Sequence, residues 1–351
     1  MKITVLMGGA SAERNVSLAS GMRIVEALRA RGHQVTAVDP ASGKLADARL
    51  AELKAANVAS KPPTLAELQQ LARGGKGAAI AGLPERGEAD LAFIALHGGY
   101  GEDGTLQSLL DLRGVPYTGS GHLASALAMD KDLSKKLFRA ANVTTADWAM
   151  VNSRTQNAMS GMPGEGPRLS ARDAEGIIGR LRLPVIVKPS KQGSTVGLTV
   201  VKEAGQLVGA VEEAFKYDDE VMIERFIPGR ELTVGILGGE ALPVGEIIPK
   251  HEIYDYECKY NAGMAREEFP AKLDARQTKE AQEAAQRAFG ALKLRGYARI
   301  DFRLHADGTF YCLEANTLPG MTELSLIPQA AAAAGMDFES LCEKIVEIST
   351  T

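Results

Sequence analysis

The chain is short of several things, and each shortage excludes something. It has three cysteines in 351 residues. Cys258, Cys312 and Cys342 are scattered and odd in number, which excludes a disulfide-stapled secreted scaffold and reads as free thiols in a reducing compartment. No run of about eighteen apolar residues occurs, so no membrane-spanning helix is expected. Neither sign of charge dominates: the net charge of -4 argues against a nucleic-acid partner. The first nine residues, MKITVLMGG, read as a core strand rather than a signal peptide, so a cytoplasmic location is expected. The P-loop pattern Gly-x-x-x-x-Gly-Lys-Ser/Thr is also missing, so a nucleotide site would need other means. Aromatic residues supply only 5%.

What is present is a soluble enzyme's composition, 45% hydrophobic and 24% charged, in a length that suits two or three domains. The first third alternates strands (2–7, 33–39, 90–96, 115–117) with helices (16–31, 105–112). That βαβ rhythm predicts a parallel sheet flanked by helices, with ligands at the strand ends. Two glycine-rich segments fall there, Gly8 to Val16 and His97 to Gly104. Beyond a boundary at 118–121, helices are expected at 122–129 and 131–141. A small α+β unit follows, with strands at 184–189, 197–201 and 220–227 and a helix at 203–215. Further strands are expected at 232–237 and 242–248, then a long helix near 274–292 and a C-terminal helix. Residues 152–170 read as a mobile surface loop, and 251–268 as a polar, aromatic lid.

The most informative stretch joins Ala298–Phe302 to Thr309–Gly320 through an Asp-Gly turn, a β-hairpin pattern. Asp301 lies on the first arm. Glu314 and Asn316 lie two apart on the second and so share a face. Two carboxylates and an amide oxygen are hard ligands of the kind Mg²⁺ takes beside phosphates. Arg299 shares the face of Asp301, and a cation there suits the charge that develops in phosphoryl transfer. An ordinary charged surface hairpin is the plain alternative. Lys188 closes an apolar strand and precedes a Gly/Ser-rich loop, 189–197, whose backbone N–H groups suit a phosphate. The segment Glu224–Glu231 offers backbone to pair with an adenine, and Glu231 a carboxylate for ribose hydroxyls.

Together these parts, with Gly8–Ser17, His97–Gly104 and Lys259-Tyr260, resemble the D-alanine–D-alanine ligase family of the ATP-grasp superfamily over nearly the whole chain. The resemblance implies an α/β and α+β protein, an ATP-grasp fold with an N-terminal parallel-sheet (preATP-grasp) domain. It implies a substrate domain at 1–120, a central ATP-grasp subdomain at 121–225, and a C-terminal subdomain at 226–351 carrying the metal site and lid. It implies ATP as a substrate, contacted by Lys131, Lys188, Glu224, Arg225, Ile227 and Glu231. Two Mg²⁺ ions, with Mn²⁺ as an alternative, would rest on Asp301, Glu314 and Asn316. Glu13, Ser194 and Tyr260 would form a group around the first D-alanine, while Arg299 and the Gly320 N–H would steady an oxyanion. His97, Lys259, Ser325 and Leu326 would complete the substrate sites. A tyrosine at 260 goes with D-alanine as second substrate, and phenylalanine with D-lactate. A homodimer is expected, with no membrane partner.

Simpler roles stand beside these. The alternative readings are Glu13 as an acid at a helix start, His97 as a structural strand-end histidine, Lys131 as a surface lysine and Tyr260 as a solvent-facing loop residue. Leu318 replaces an expected small polar residue, its side chain expected to point away. Rival functions are a D-alanine–D-lactate or D-alanine–D-serine ligase, a non-catalytic nucleotide-binding regulator, and a carboxylase-type enzyme of the same fold.

Overall fold

The computed structural model describes residues 1–54, 82–153, 169–193, 195–250 and 263–350. Ser194, Cys258, Lys259 and Tyr260 lie outside these, as do most of the 152–170 loop and residues 251–262 of the expected lid.

Three sheets organise the chain. The first is built from β1 (Lys2–Leu6), β2 (Gln34–Asp39), β3 (Gly43–Lys44) and β4 (Leu91–Ile94), in the order β3-β2-β1-β4. β1 runs parallel to β2 and β4. The sheet is mixed rather than wholly parallel, because β3 folds back antiparallel on β2. The expected strand at 115–117 is only a bridge from Tyr117 to Ala92, since Pro116 has no N–H to extend a ladder. Helices α1 (Arg14–Ala30), α2 (Asp47–Lys54) and α3 (Thr105–Arg113) accompany this sheet.

α4 (His122–Met129) and α5 (Lys131–Ala140) follow, the latter capped by Asp130, whose side chain accepts the Leu133 N–H at 3.0 Å. The second sheet has the order β5-β8-β6-β7, from β5 (Trp148–Asn152), β6 (Val185–Pro189), β7 (Thr199–Val201) and β8 (Glu220–Arg225). Its helices are α6 (Ala171–Leu181) and α7 (Leu207–Ala214). Neither β5 nor α6 is evident from sequence. α6 contains Gly176 and Gly179, which weaken a helix, but Ser170 caps it. Ala174, Ile177, Ile178 and Leu181 then form a stripe at i, i+3, i+4 and i+7 that packs into the core of this sheet.

The third sheet runs β12-β11-β9-β13-β14 with β10 beside β9. Its strands are β9 (Arg230–Leu237), β10 (Glu240–Ala241), β11 (Gly245–Pro249), β12 (Ala265–Glu268), β13 (Tyr297–Leu304) and β14 (Phe310–Asn316). β12 is a correction: the last residues of the expected lid form a strand antiparallel to β11. α8 (Ala275–Ala291) packs an alanine face, Ala281, Ala284, Ala285 and Ala288, into this sheet's core, which α4 and α5 also enter through Ala124, Ala128 and Phe138.

Two helices rather than one close the chain, α9 (Leu326–Ala333) and α10 (Phe338–Thr350). They return to the first sheet. Leu341, Cys342, Ile345 and Val346 are buried in one core with Ile3, Val5, Ile24, Leu28 and Phe93. At its edge the Arg23 guanidinium lies 4.0 Å from the Phe338 ring centre, and His33 Nε2 meets Glu343 at 2.8 Å. Cys312 and Cys342 are buried free thiols. Among the described residues no helix is long and apolar enough to cross a membrane.

Candidate active site

The hairpin forms as expected. In the β13–β14 register Asp301 opposes Glu314 and Arg299 opposes Asn316. A bulge follows: Phe302 opposes Cys312, so Leu313 is the extra residue. Without it Leu313 would face Asp301 in place of Glu314. Asp301 is buried and heavily bonded. It accepts from Arg299 Nε at 2.9 Å and Nη2 at 2.8 Å, from Thr233 Oγ1 at 2.7 Å on β9, and from Asn316 Nδ2 at 3.0 Å. Lys131 Nζ lies 3.4 Å from Glu314 and donates to the Gln192 carbonyl at 2.7 Å. At 7% exposure Lys131 is no surface lysine.

Lys131, Asp301 and Glu314 line a cleft between the second and third sheets with a cavity volume of about 140 Å³. Lys188, Gln192, Gly193, Ile227, Glu231 and Glu314 are among its walls, and Arg225 and Arg303 line it too. Lys188 Nζ donates to Glu224 at 2.6 Å. Glu224 is buried, which alone would raise its pKa, but Lys135 and Lys188 together hold it at about 2. Glu231 meets Arg303 at 3.4 Å. Among the described residues no three His, Cys, Asp or Glu side chains gather into a metal cage. Asp301, Glu314 and the Asn316 amide, on the paired strands β13 and β14, could offer a divalent ion oxygen ligands of the kind Mg²⁺ takes.

The loops of the first sheet reach the same place. Glu13 is the N-cap of α1 yet makes no side-chain cap bond. A methyl group on Gly98 would stand 2.9 Å from a Glu13 carboxylate oxygen, and one on Gly193 would stand 3.3 Å away. Glu13 thus lies between the His97–Gly104 loop and the 189–197 loop. Gly98 holds φ +65, a conformation that glycine adopts without strain. Ser11 Oγ donates to the His97 carbonyl at 2.6 Å. Asp39 locks the turn after β1, accepting from Gly9 N at 3.0 Å and Arg14 Nη2 at 2.6 Å.

His97 is buried with both ring nitrogens engaged. Nδ1 lies 2.9 Å from the Leu318 carbonyl, which can only accept, so Nδ1 carries the proton. Nε2 then accepts from Ser20 Oγ at 3.1 Å. Burial lowers its pKa, which keeps the ring neutral. His97 therefore braces the 317–321 segment. Leu318 points its side chain into the first core. Glu102, absent from the sequence candidates, accepts the Gly98 N–H at 2.9 Å. Burial and the nearby Glu13 push its carboxyl up to about 7. Its signal was its place inside the His97–Gly104 motif.

Ser325 is the N-cap of α9, and its hydroxyl accepts from Thr322 N at 2.9 Å. A methyl on Gly320 would lie 2.7 Å from that hydroxyl, so a larger residue there would displace it. The Leu326 side chain is buried against Ile247, Met264 and Phe269, which leaves its backbone at the helix start to meet a ligand. Arg303, which sequence reasoning missed, follows Arg299 and Asp301 at the same period of two.

Two family models match the chain, "D-ala D-ala ligase N-terminus" over residues 2–120 and "D-ala D-ala ligase C-terminus" over residues 137–347. It is 41% identical over 345 residues to the D-alanine--D-alanine ligase of Geotalea uraniireducens, covering 98% of this chain and 94% of that one. It is 39% identical to that of Aquifex aeolicus, covering 99% and 100%. Among solved structures it resembles the D-alanine--D-alanine ligase of Bacillus anthracis, with TM-score 0.74, 32% identity and coverage of 99% and 97%. It also resembles the VanG D-Ala:D-Ser ligase of Enterococcus faecalis, with TM-score 0.77, 28% identity and coverage of 99% of each chain.

Proposed function

This chain belongs to the D-alanine–D-alanine ligase family, and from that premise we propose how its cleft divides the work. It is an ATP-dependent ligase that forms D-alanyl-D-alanine for peptidoglycan precursors. The observation that carries the residue roles is that Ile227, Glu231, Lys188, Lys131, Glu314 and Asp301 all line one cleft.

The nucleotide lies in that cleft. Glu224, Arg225, Ile227 and Glu231 bind adenine and ribose, and Lys131 and Lys188 bind phosphates. Asp301, Glu314 and Asn316 would hold two Mg²⁺ ions, which would neutralise charge on the transferring phosphoryl group. A carboxylate is a poor electrophile until one of its oxygens becomes a leaving group. The first D-alanine carboxylate oxygen therefore attacks the γ-phosphorus, ADP leaves, and an acyl phosphate forms. The neutral amine of the second D-alanine attacks that carbonyl carbon. The amine nitrogen loses a proton, the C–O bond to phosphate breaks, and inorganic phosphate departs. Arg299 and the Gly320 N–H face the oxyanion of the tetrahedral intermediate. Glu13, with Ser194 and Tyr260, holds the first ammonium. His97 and Glu102 keep the surrounding loops in place. Lys259, Ser325 and Leu326 serve the substrate carboxylates, aided by the positive end of α9.

The proposal extends to a substrate domain at 1–120, ATP-grasp subdomains at 121–225 and 226–351, a lid within 251–268, a homodimer and a cytoplasmic location. The test is phosphate release with ATP, Mg²⁺ and single amino acids. Release is expected with D-alanine and not with L-alanine, and equal turnover of the two would sink the substrate assignment.

A further inference from the structure

Lys135 follows Lys131 by one turn of α5, and none of the roles above uses it. Its side chain is fully buried. Nζ donates to Thr145 Oγ1 at 2.6 Å and to Glu224 Oε1, and lies 5.1 Å from the centre of the Trp148 ring. Thr145 passes the connection on, donating to the Cys312 carbonyl of β14 at 2.8 Å. A carboxylate, a hydroxyl oxygen and an aromatic face are all partners for an ammonium. The second oxygen of Glu224 takes Lys188 Nζ at 2.6 Å. Two cations thus share one buried anion. Lys188 and Glu224 alone would be a neutral pair, whereas the three together carry one positive charge. Because these side chains are buried or nearly so, that difference acts more strongly on an approaching phosphate than it would in water.

We propose that Lys135 is a positioning residue for the nucleotide, taking half of Glu224 so that the charge of Lys188 is not cancelled where phosphates bind. The inference rests on reading this cleft as the ATP pocket. It separates two ligands that a general packing role would treat alike. Adenosine has the base and ribose but no phosphate, so a change at Glu224 felt by the base is common to both ligands, and the ratio of their affinities reports the charge at Lys188.

The experiment is calorimetric titration of ATP with Mg²⁺, and of adenosine, into wild type, Lys135→Met and the double variant Lys135→Met/Glu224→Gln. The quantity read is the affinity for ATP relative to adenosine in each protein. In Lys135→Met that ratio is expected to fall about tenfold or more. In the double variant, where Lys188 again carries an uncancelled charge, it is expected to return to within about threefold of wild type. Melting curves show whether Lys135→Met is folded; if it is not, the double variant alone decides, and a ratio reduced as above overturns the inference. Equal weakening of both ligands in Lys135→Met would make Lys135 a packing residue only. Failure of wild type to bind ATP would overturn the nucleotide reading, and the inference with it.

Discussion

On β13 and β14 the functional side chains stand on the strands themselves. At the first sheet they hang from loops after β1 and β4. Asp301 is fixed by side chains on its own strand and on both neighbours, Arg299, Thr233 and Asn316, so its position follows from a register that cannot slip without exposing core residues. His97 and Glu102 each take a backbone partner, the Leu318 carbonyl and the Gly98 N–H, and Glu13 lies beside the tight turn at Gly98. A strand lattice suits groups that must meet developing charge within tenths of an ångström. Loops suit groups that recognise and enclose a small substrate. Damage to the hairpin should therefore appear in kcat, and damage to the loops in KM for D-alanine.

The largest expected effect is on the hairpin. Glu314→Gln should lower kcat at least about a hundredfold, or ~2.7 kcal/mol, with an unchanged melting temperature. Phosphate-release kinetics and calorimetry together check this, and a near-normal rate in a normally folded variant would remove Glu314 from the metal set. Gly98→Ala tests the loop side. An alanine at φ +65 is strained and its methyl approaches Glu13 at 2.9 Å. KM for D-alanine should rise about fivefold, the equivalent of ~1 kcal/mol, with KM for ATP unmoved. If kcat falls instead, the division between strands and loops fails.

The smallest effect sharpens the contrast through pH. Glu102 titrates near 7 when folded against an ordinary value of 4.5. Between those values the unfolded chain ionises this carboxyl while the folded protein keeps its proton. The folded state then binds more protons, so this group makes stability fall as pH rises through the window and adds no further loss above it. Glu102→Gln removes that term. Its melting temperature relative to wild type should climb by about 2–4 °C from pH 4.5 to 7 and stay level beyond. Parallel curves would show that Glu102 is ionised throughout.

The hairpin was legible because strand geometry has a period of two: spacing alone puts Glu314 and Asn316 on one face. Its bulge was not legible, since nothing in Tyr311–Glu314 marks Leu313 as the extra residue. Lys188 and the loop after it were found from a charge at a strand end. Lys135 was missed because a lysine in a helix normally faces water, and only tertiary packing puts Trp148 and Glu224 around it. β5 was hidden beside a polar loop, and α6 by its two glycines. The antiparallel turn of β3 covers two residues, too few for a pattern. The packing of α9 and α10 on the first sheet joins residues some three hundred apart, which no local signal conveys.

That last contact has a consequence in time. Ile3, Val5, Ile24 and Leu28 share their core with Leu341, Ile345 and Val346. Translation at about 5–20 residues per second separates the two halves of this core by roughly 15–60 s. Throughout that interval the face of α1 that later meets α10 has no partner. The nascent chain therefore presents an apolar surface to chaperones for most of its synthesis, and its first-made domain is among the last to finish folding.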